Sequence, residues 1–190
     1  MKILITGGTG YIGSHCALEL LNQKHDVVLL DNLSNSSDEI CNILSSITKT
    51  DLLFYRGDIN DRKLLEKIFI TSKIDAVIHC AGLKAVSESV AEPIKYHQNN
   101  VDGSKNLISV MEKHKVYNLV FSSSATVYGD PKYLPIDECH PLNPLHPYGE
   151  NKIKIEELLR KSASRNSAWK ILSLRYFNPV GAHDSYLLGD

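Results

Sequence analysis

Tyr148 and Lys152 stand four residues apart in the run Tyr148-Gly149-Glu150-Asn151-Lys152, a spacing that puts both side chains on one face of a helix. An ammonium beside a phenol favours the phenolate, drawing a tyrosine pKa that is ordinarily about 10 toward the working range of a general base. Ser124 ends the run Ser122-Ser123-Ser124, and its hydroxyl can share a hydrogen bond with the substrate oxygen that the tyrosine serves. Together the three groups suit proton exchange at a substrate oxygen, the partner step of a hydride transfer. A Tyr-x-x-x-Lys spacing also arises by chance on many helices, with the aromatic in the core and the lysine stem beside it. The chemistry therefore depends on what else the chain supplies.

A glycine-rich turn supplies the first part. Residues 3–6 read as a strand and run directly into Gly7-Gly8-Thr9-Gly10-Tyr11-Ile12-Gly13, after which a helix is expected. Glycines at 7, 10 and 13 permit a tight turn, close approach of backbone to a pyrophosphate, and close packing of helix on sheet, with the phosphates at the helix N-terminus. A carboxylate follows at Asp31, at the end of the second expected strand, where it can accept hydrogen bonds from adenosine ribose hydroxyls. A 2'-phosphate would be repelled there, so NAD is expected rather than NADP. Later strand ends offer Asp58, placed to meet the adenine amino group, and the small residues of Cys80-Ala81-Gly82-Leu83-Lys84, which let a dinucleotide pass close to backbone. Asn99 is polar where apolar packing would otherwise be expected; for Asp58 and Asn99 taken singly, a helix cap or a surface polar group reads nearly as well.

These groups need a scaffold that brings strand ends together. Short apolar runs alternate with longer amphipathic stretches, with strands expected at 3–6, 27–31, 52–56, 76–80, 119–123 and 171–176. Helices are expected over 12–22 and 153–161, and Pro93 suits the first turn of a long helix running toward His114. The pattern specifies an α/β fold, a doubly wound parallel sheet with helices on both faces, and residues 1–190 are read as one domain. Residues 129–147 carry five of the seven prolines and break the rhythm; a loop flanking the site is expected there, since it joins the segments holding Ser124 and Tyr148.

Composition excludes other classes. The chain has 43% apolar and 23% charged residues and a net charge of -1, so nothing in that balance points to nucleic acid or a membrane. No apolar run approaches the ~18 residues of a spanning helix, and a cytoplasmic location is the default. Cys16, Cys41, Cys80 and Cys139 are widely spaced and read as reduced and structural, and neither they nor the eight histidines form a metal-binding pattern. No metal is expected.

At this level of detail the chain resembles the extended short-chain dehydrogenase/reductases, and within them the UDP-glucose (UDP-galactose) 4-epimerases. The resemblance runs through Thr6 to His15, Gly57-Asp58-Ile59, Ala81-Gly82-Leu83-Lys84-Ala85-Val86, Ser122-Ser123-Ser124-Ala125-Thr126-Val127-Tyr128-Gly129, and Arg175-Tyr176-Phe177-Asn178-Pro179-Val180-Gly181-Ala182-His183. The last two blocks are the more specific to 4-epimerases. The resemblance implies a Rossmann-type domain with tightly held NAD and a redox-neutral inversion at C4 of a UDP-sugar through a 4-keto sugar. It implies that Tyr148 takes the 4-hydroxyl proton, Ser124 assists at the same oxygen, and Lys152 anchors the nicotinamide ribose and tunes Tyr148. It also implies that Phe177 lies along the cofactor, that Asn178 and Lys84 meet the nucleotide sugar, and that Tyr11, Ile12, Asp31, Asn32, Leu33, Ser34, Asn35, Ser36, Asp58, Ile59, Cys80 to Lys84 and Asn99 occupy cofactor-contact positions. A homodimer joined through the helices after Pro93 and Tyr148 is implied as well.

The sister 4,6-dehydratases share the cofactor motifs, but elimination across C5 and C6 needs a further acid and base, which that family places directly after the hydroxyl residue. Those positions here are Ala125 and Thr126. Two features depart from the family pattern. Asn151 stands where a hydroxyl residue is usual, and the chain ends at Asp190, before the C-terminal domain that supplies most contacts to the uridine diphosphate. Remote binding energy positions the reacting sugar, so weaker binding and turnover are expected for this chain alone, and an NAD-binding module without catalysis is the competing reading.

Overall fold

The computed structural model describes residues 1–189. Six parallel strands form one sheet: β1 (Lys2–Thr6), β2 (Asp26–Asp31), β3 (Leu53–Arg56), β4 (Ala76–His79), β5 (Asn118–Ser124) and β6 (Lys170–Tyr176). Their order is β3-β2-β1-β4-β5-β6, with Ile5 paired to Leu29 on one side and to Ile78 on the other. The order reverses between β1 and β4, and at such a point the connections leave in opposite directions, opening a crevice beyond the carboxyl ends of the strands.

Alternate residues of each strand feed two cores. Leu4, Val28 and Leu30 join one apolar cluster, while Ile3, Ile5, Val27 and Leu29 join another on the opposite face. The helices α1 (Tyr11–Asn22) and α2 (Glu39–Thr48) cover the second cluster; α3 (Arg62–Ser72), α6 (Gly103–Lys113) and α7 (Pro147–Arg165) cover the first. The Asp61 carboxylate accepts from the Leu64 amide and starts α3. Pro93 and Pro147 occupy first-turn positions, where a missing N–H costs nothing.

The long helix expected from Pro93 is present in three pieces. A short helix α5 (Pro93–Tyr96), preceded by α4 (Val86–Ala91), passes into a π-helical turn, His97–Asp102, and continues as α6. A π turn widens the helix by one residue and shifts which side chains face inward, a device found mostly at functional sites. Every strand bound matches the expected one within a residue; Cys80 lies just beyond β4 and Ser124 just inside β5. Among the described residues, no helix is long and apolar enough to cross a membrane.

Candidate functional site

Gly7 takes φ +69 and its amide, like that of Gly8, donates to the Leu30 carbonyl, so the chain leaves β1 in a turn folded against β2. A Cβ at Gly7 would lie 2.6 Å from the Ala81 nitrogen, and one at Gly13 would overlap the Gly7 carbonyl oxygen. Both positions therefore require glycine. Helix α1 starts after Gly10 with no side chain capping it, so its first amides have no acceptor within the helix and face the crevice. They border a cavity of about 730 Å³, within the size range of small-molecule and cofactor sites. An uncapped helix start over a glycine cradle fits a dinucleotide pyrophosphate.

At one end of the cavity, Asp31 is buried and accepts from the Thr9 amide at 3.2 Å, the Leu33 amide at 2.9 Å and the Ser36 hydroxyl at 3.2 Å. Its remaining lone pairs are available to a ribose. Asn32, Ser34, Asn35 and Ser36 line the same end. Leu33 does not. It takes φ +60 and turns its backbone amide to Asp31, at the edge of this end of the cavity. Asp58 also lines this end; burial pulls its pKa up, but hydrogen bonds from the Asn60 amide, Asn32 and the Asn60 side chain outweigh that and hold it below the ordinary aspartate value. Tyr11, Ile12, Ile59, the Cys80 to Lys84 segment and Asn99 fall on the cavity wall.

At the other end stand Ser124, Tyr148 and Lys152. The Lys152 ammonium is buried, donates to the Ser122 carbonyl at 2.6 Å, and sits 4.9 Å from the centre of the Phe121 ring and 5.5 Å from that of Tyr148. Burial lowers its pKa to about 8, against the opposing charges of Cys80 and Glu156. In the chain by itself, without a cationic ring beside the phenol, burial raises the Tyr148 pKa and the hydrogen bond with Ser124 pulls the other way. Ser124 Oγ accepts from both the amide and the hydroxyl of Thr126, at 3.2 and 3.0 Å, so its own proton is the one it gives to the Tyr148 oxygen.

The proline-bearing segment lies beside the site and packs on the two segments it joins. None of residues 129–147 borders the cavity among its lining groups. Instead His140 is buried, accepts from the Lys132 amide and packs against Tyr128 and Tyr133, and the Asn143 amide returns to the Val127 carbonyl. Gly149 lies so close to Thr126 and Pro144 that a Cβ would meet them at 2.8 and 2.9 Å. The segment thus seats the start of α7, which carries Tyr148 and Lys152.

Three groups that matter here were not singled out from the sequence. Glu156, one turn beyond Lys152 on α7, is buried and bound by both Nε and Nη2 of Arg175, at 2.9 and 2.7 Å, and by the Ser123 hydroxyl at 2.7 Å. The remaining guanidinium nitrogen, Nη1, donates to the Tyr128 hydroxyl, whose ring stacks near Phe177. Recurrence at positions 148, 152 and 156 was the available signal. Asn100 is the third: its side chain grips the Leu83 peptide from both sides, accepting from N at 2.8 Å and donating to O at 3.0 Å. Phe177 and Asn178 border the cavity but are exposed, on a segment tied to the glycine turn by the Tyr11 hydroxyl, which donates to the Gly181 carbonyl at 2.9 Å.

Comparison with known proteins agrees with this geometry. The profile of the NAD dependent epimerase/dehydratase family matches residues 3–187. The UDP-glucose 4-epimerase of Bacillus subtilis (strain 168) is 52% identical over 190 residues, covering 100% of this chain and 56% of that protein. The crystal structure of UDP-glucose 4-epimerase from Bifidobacterium longum in complex with NAD+ and UDP superposes with a TM-score of 0.98 at 48% identity, covering 100% of this chain and 57% of that one. The enzyme from Stenotrophomonas maltophila, solved with NAD and formylated UDP-arabinopyranose, superposes with a TM-score of 0.97 at 44% identity, again covering 100% of this chain and 56% of the other. The chain thus spans a little over half the length of these relatives.

Proposed function

The chain belongs to the NAD dependent epimerase/dehydratase family, and from that premise we propose that it binds NAD and carries the proton-transfer groups of a UDP-glucose 4-epimerase, interconverting UDP-glucose and UDP-galactose. The observation that carries the reading is the placement of Ser124, Tyr148 and Lys152 at one end of a cavity whose other end presents Asp31 and Asp58. NAD, when bound, accepts the C4 hydride and returns it, and its positive nicotinamide favours the Tyr148 phenolate.

The chain's own residues do the rest. Asp31 receives ribose hydroxyls, and the amides at the start of α1 receive the pyrophosphate. Ser124, its lone pairs filled by Thr126, turns its one proton from the Tyr148 oxygen to the sugar 4-oxygen when the sugar is bound, while Tyr148 takes the proton from the 4-hydroxyl. Lys152, desolvated and held by Ser122, places a fixed positive charge beside the phenol and the nicotinamide ribose. Lys84 and Asn178 meet the nucleotide sugar, and Phe177 lies along the cofactor. Inversion then requires the 4-keto sugar to present its other face to the same groups. Ala125 and Thr126 offer no acid, which argues against elimination across C5 and C6.

The test is Tyr148→Phe in the NAD-loaded protein, with separation of UDP-glucose and UDP-galactose. NAD binding should be retained while turnover falls by roughly 10²- to 10⁴-fold, the usual contribution of a general acid–base group. Unchanged turnover would sink the assignment. A second reading, NAD binding without turnover, is favoured by the exposure of Phe177, at 59%, and of Asn178; absence of any C4-inverted product from the unmodified chain would select it. The resemblance also extends the reading to a cytoplasmic homodimer joined through α5–α6 and α7. Lys154, Glu157 and Arg160 make the outward face of α7 charged, and sedimentation of the NAD-loaded protein decides the oligomer.

A further inference from the structure

His79 is a fully enclosed, titratable side chain for which the proton-transfer chemistry has no use. It lies at the end of β4, and burial, with the Lys152 charge adding to it, lowers its pKa to about 3. The ring is therefore neutral at working pH, with one nitrogen protonated and the other bare. Its neighbours determine which. The Ser104 hydroxyl donates to the Asn100 carbonyl at 2.6 Å, and having one proton it must accept from His79 Nε2 at 2.8 Å. Nε2 thus carries the hydrogen. Nδ1 is bare and accepts from the Thr6 hydroxyl at 2.7 Å, whose oxygen lies 3.4 Å from the Ala81 amide that points at it.

All four residues, Thr6, His79, Ser104 and Asn100, are buried at 2% exposure or less. Each end of this series meets the same short stretch of backbone. Thr6 reaches Ala81, while Asn100 holds both sides of the Leu83 peptide. Between them Gly82 takes φ +157, and a Cβ there would come within 3.2 Å of Asn100 Oδ1. That stretch borders the cavity opposite the glycine turn, and Thr6 directly precedes Gly7. The π turn contributes as well: it carries Asn99 on the cavity wall and Asn100 in the interior side by side.

We propose that Thr6, His79, Ser104 and Asn100 form a positioning relay that sets the Ala81–Leu83 backbone at the height where a dinucleotide passes over it, with His79 in the Nε2–H tautomer as its central member. The inference rests on the cavity being the NAD site. The relay makes no contact with the reacting atoms and works through backbone placement. A half-broken relay leaves a buried donor or acceptor without a partner, a loss that the loop can relieve only by moving.

The experiment uses the chain as it stands, with Thr6→Val and Ser104→Ala each removing one hydroxyl at almost constant volume, and Thr6→Ser restoring it. NAD affinity, by fluorescence titration, should fall about tenfold in either single variant, and the double variant should lose little more, because both break one relay. Thr6→Ser should bind within about twofold of the parent. Amide hydrogen exchange should accelerate at Ala81 and Leu83 with no change at Leu4 or Val28, a pattern that general destabilisation would not produce. A long-range proton–nitrogen spectrum of the parent should report protonated Nε2 and bare Nδ1 on His79. The opposite tautomer, additive losses, or unchanged Leu83 exchange in Ser104→Ala would each overturn the relay. Should the parent chain bind no NAD, the functional reading falls, while the exchange and tautomer measurements still decide the relay; should Thr6→Val fail to fold, Ser104→Ala and the tautomer decide it.

Discussion

Replacing Lys152 with methionine should stabilise the nucleotide-free chain at neutral pH, and by progressively less as the pH rises. The lysine ammonium is buried between β5 and α7, with its pKa lowered to about 8 from an ordinary 10.5. Below pH 8 the folded and unfolded chains both carry the proton, and the folded chain bears the full cost of burying it. Between about 8 and 10.5 the unfolded chain still binds a proton that the folded chain has released, so stability rises with pH. The gap corresponds to about 3 kcal/mol in all, of which about 2 kcal/mol is gained by pH 9.5. Cys80 and Tyr176 act in the opposite sense: each is pushed up to about 12, so their contributions fall with pH above roughly 9 and 10. In the difference between variant and parent the Tyr176 contribution cancels, and folded Cys80, which loses only a lowering influence with the lysine, stays protonated in both proteins up to pH 9.5, so the slope is the lysine's. Losing the bond to the Ser122 carbonyl costs the variant about 1 kcal/mol at every pH and lowers the whole difference curve. The signature is therefore the slope. Urea unfolding of both proteins, stripped of nucleotide, at intervals from pH 7 to 9.5 measures it. A flat difference, or one that grows with pH, would refute the claim that burial of this charge is what the fold tolerates for the sake of the site.

Two further outcomes follow from the geometry. Gly13→Ala forces a methyl onto the Gly7 carbonyl oxygen and against the Gly8 Cα, so α1 must move off the turn; NAD affinity should fall by at least about tenfold with stability down by ~1–3 kcal/mol, and calorimetric titration giving parental affinity would contradict the cradle. Glu156→Leu should destabilise by ~3–5 kcal/mol because it strands the Arg175 guanidinium, whose side chain is only 17% exposed, while adding Arg175→Met should recover most of that loss. Additive losses in denaturant unfolding would mean that the two residues act separately.

The parts of the site legible in the sequence are those whose chemistry is local. A glycine turn needs small residues within seven positions of one another, and a tyrosine–lysine pair needs one helical turn, so both are written as spacing. Strand ends follow from the same logic, since each apolar run must stop where the sheet stops, and Asp31, Asp58 and Ser124 stand at those stops. Leu33 shows one limit of spacing: nothing in the sequence reveals that it takes a positive φ and turns its backbone amide to Asp31. The segment 129–147 shows another, because proline density marks a long excursion but not the direction in which it packs.

His79 is the sharpest instance of what spacing cannot convey. It is separated by 73 residues from Thr6 and by 25 from Ser104, and a histidine at the end of an apolar strand reads as a satisfied core residue. That reading is correct as far as it goes. Only the sheet order, which sets β4 beside β1, and the helix that returns over β4 bring the three hydroxyl and ring groups within hydrogen-bonding reach. Once they are there, one proton count assigns every donor in the series, beginning from the Ser104 hydroxyl and the carbonyl it faces. The direction of those bonds is a property of the fold, and it points from the glycine strand through His79 to the π turn that holds Leu83.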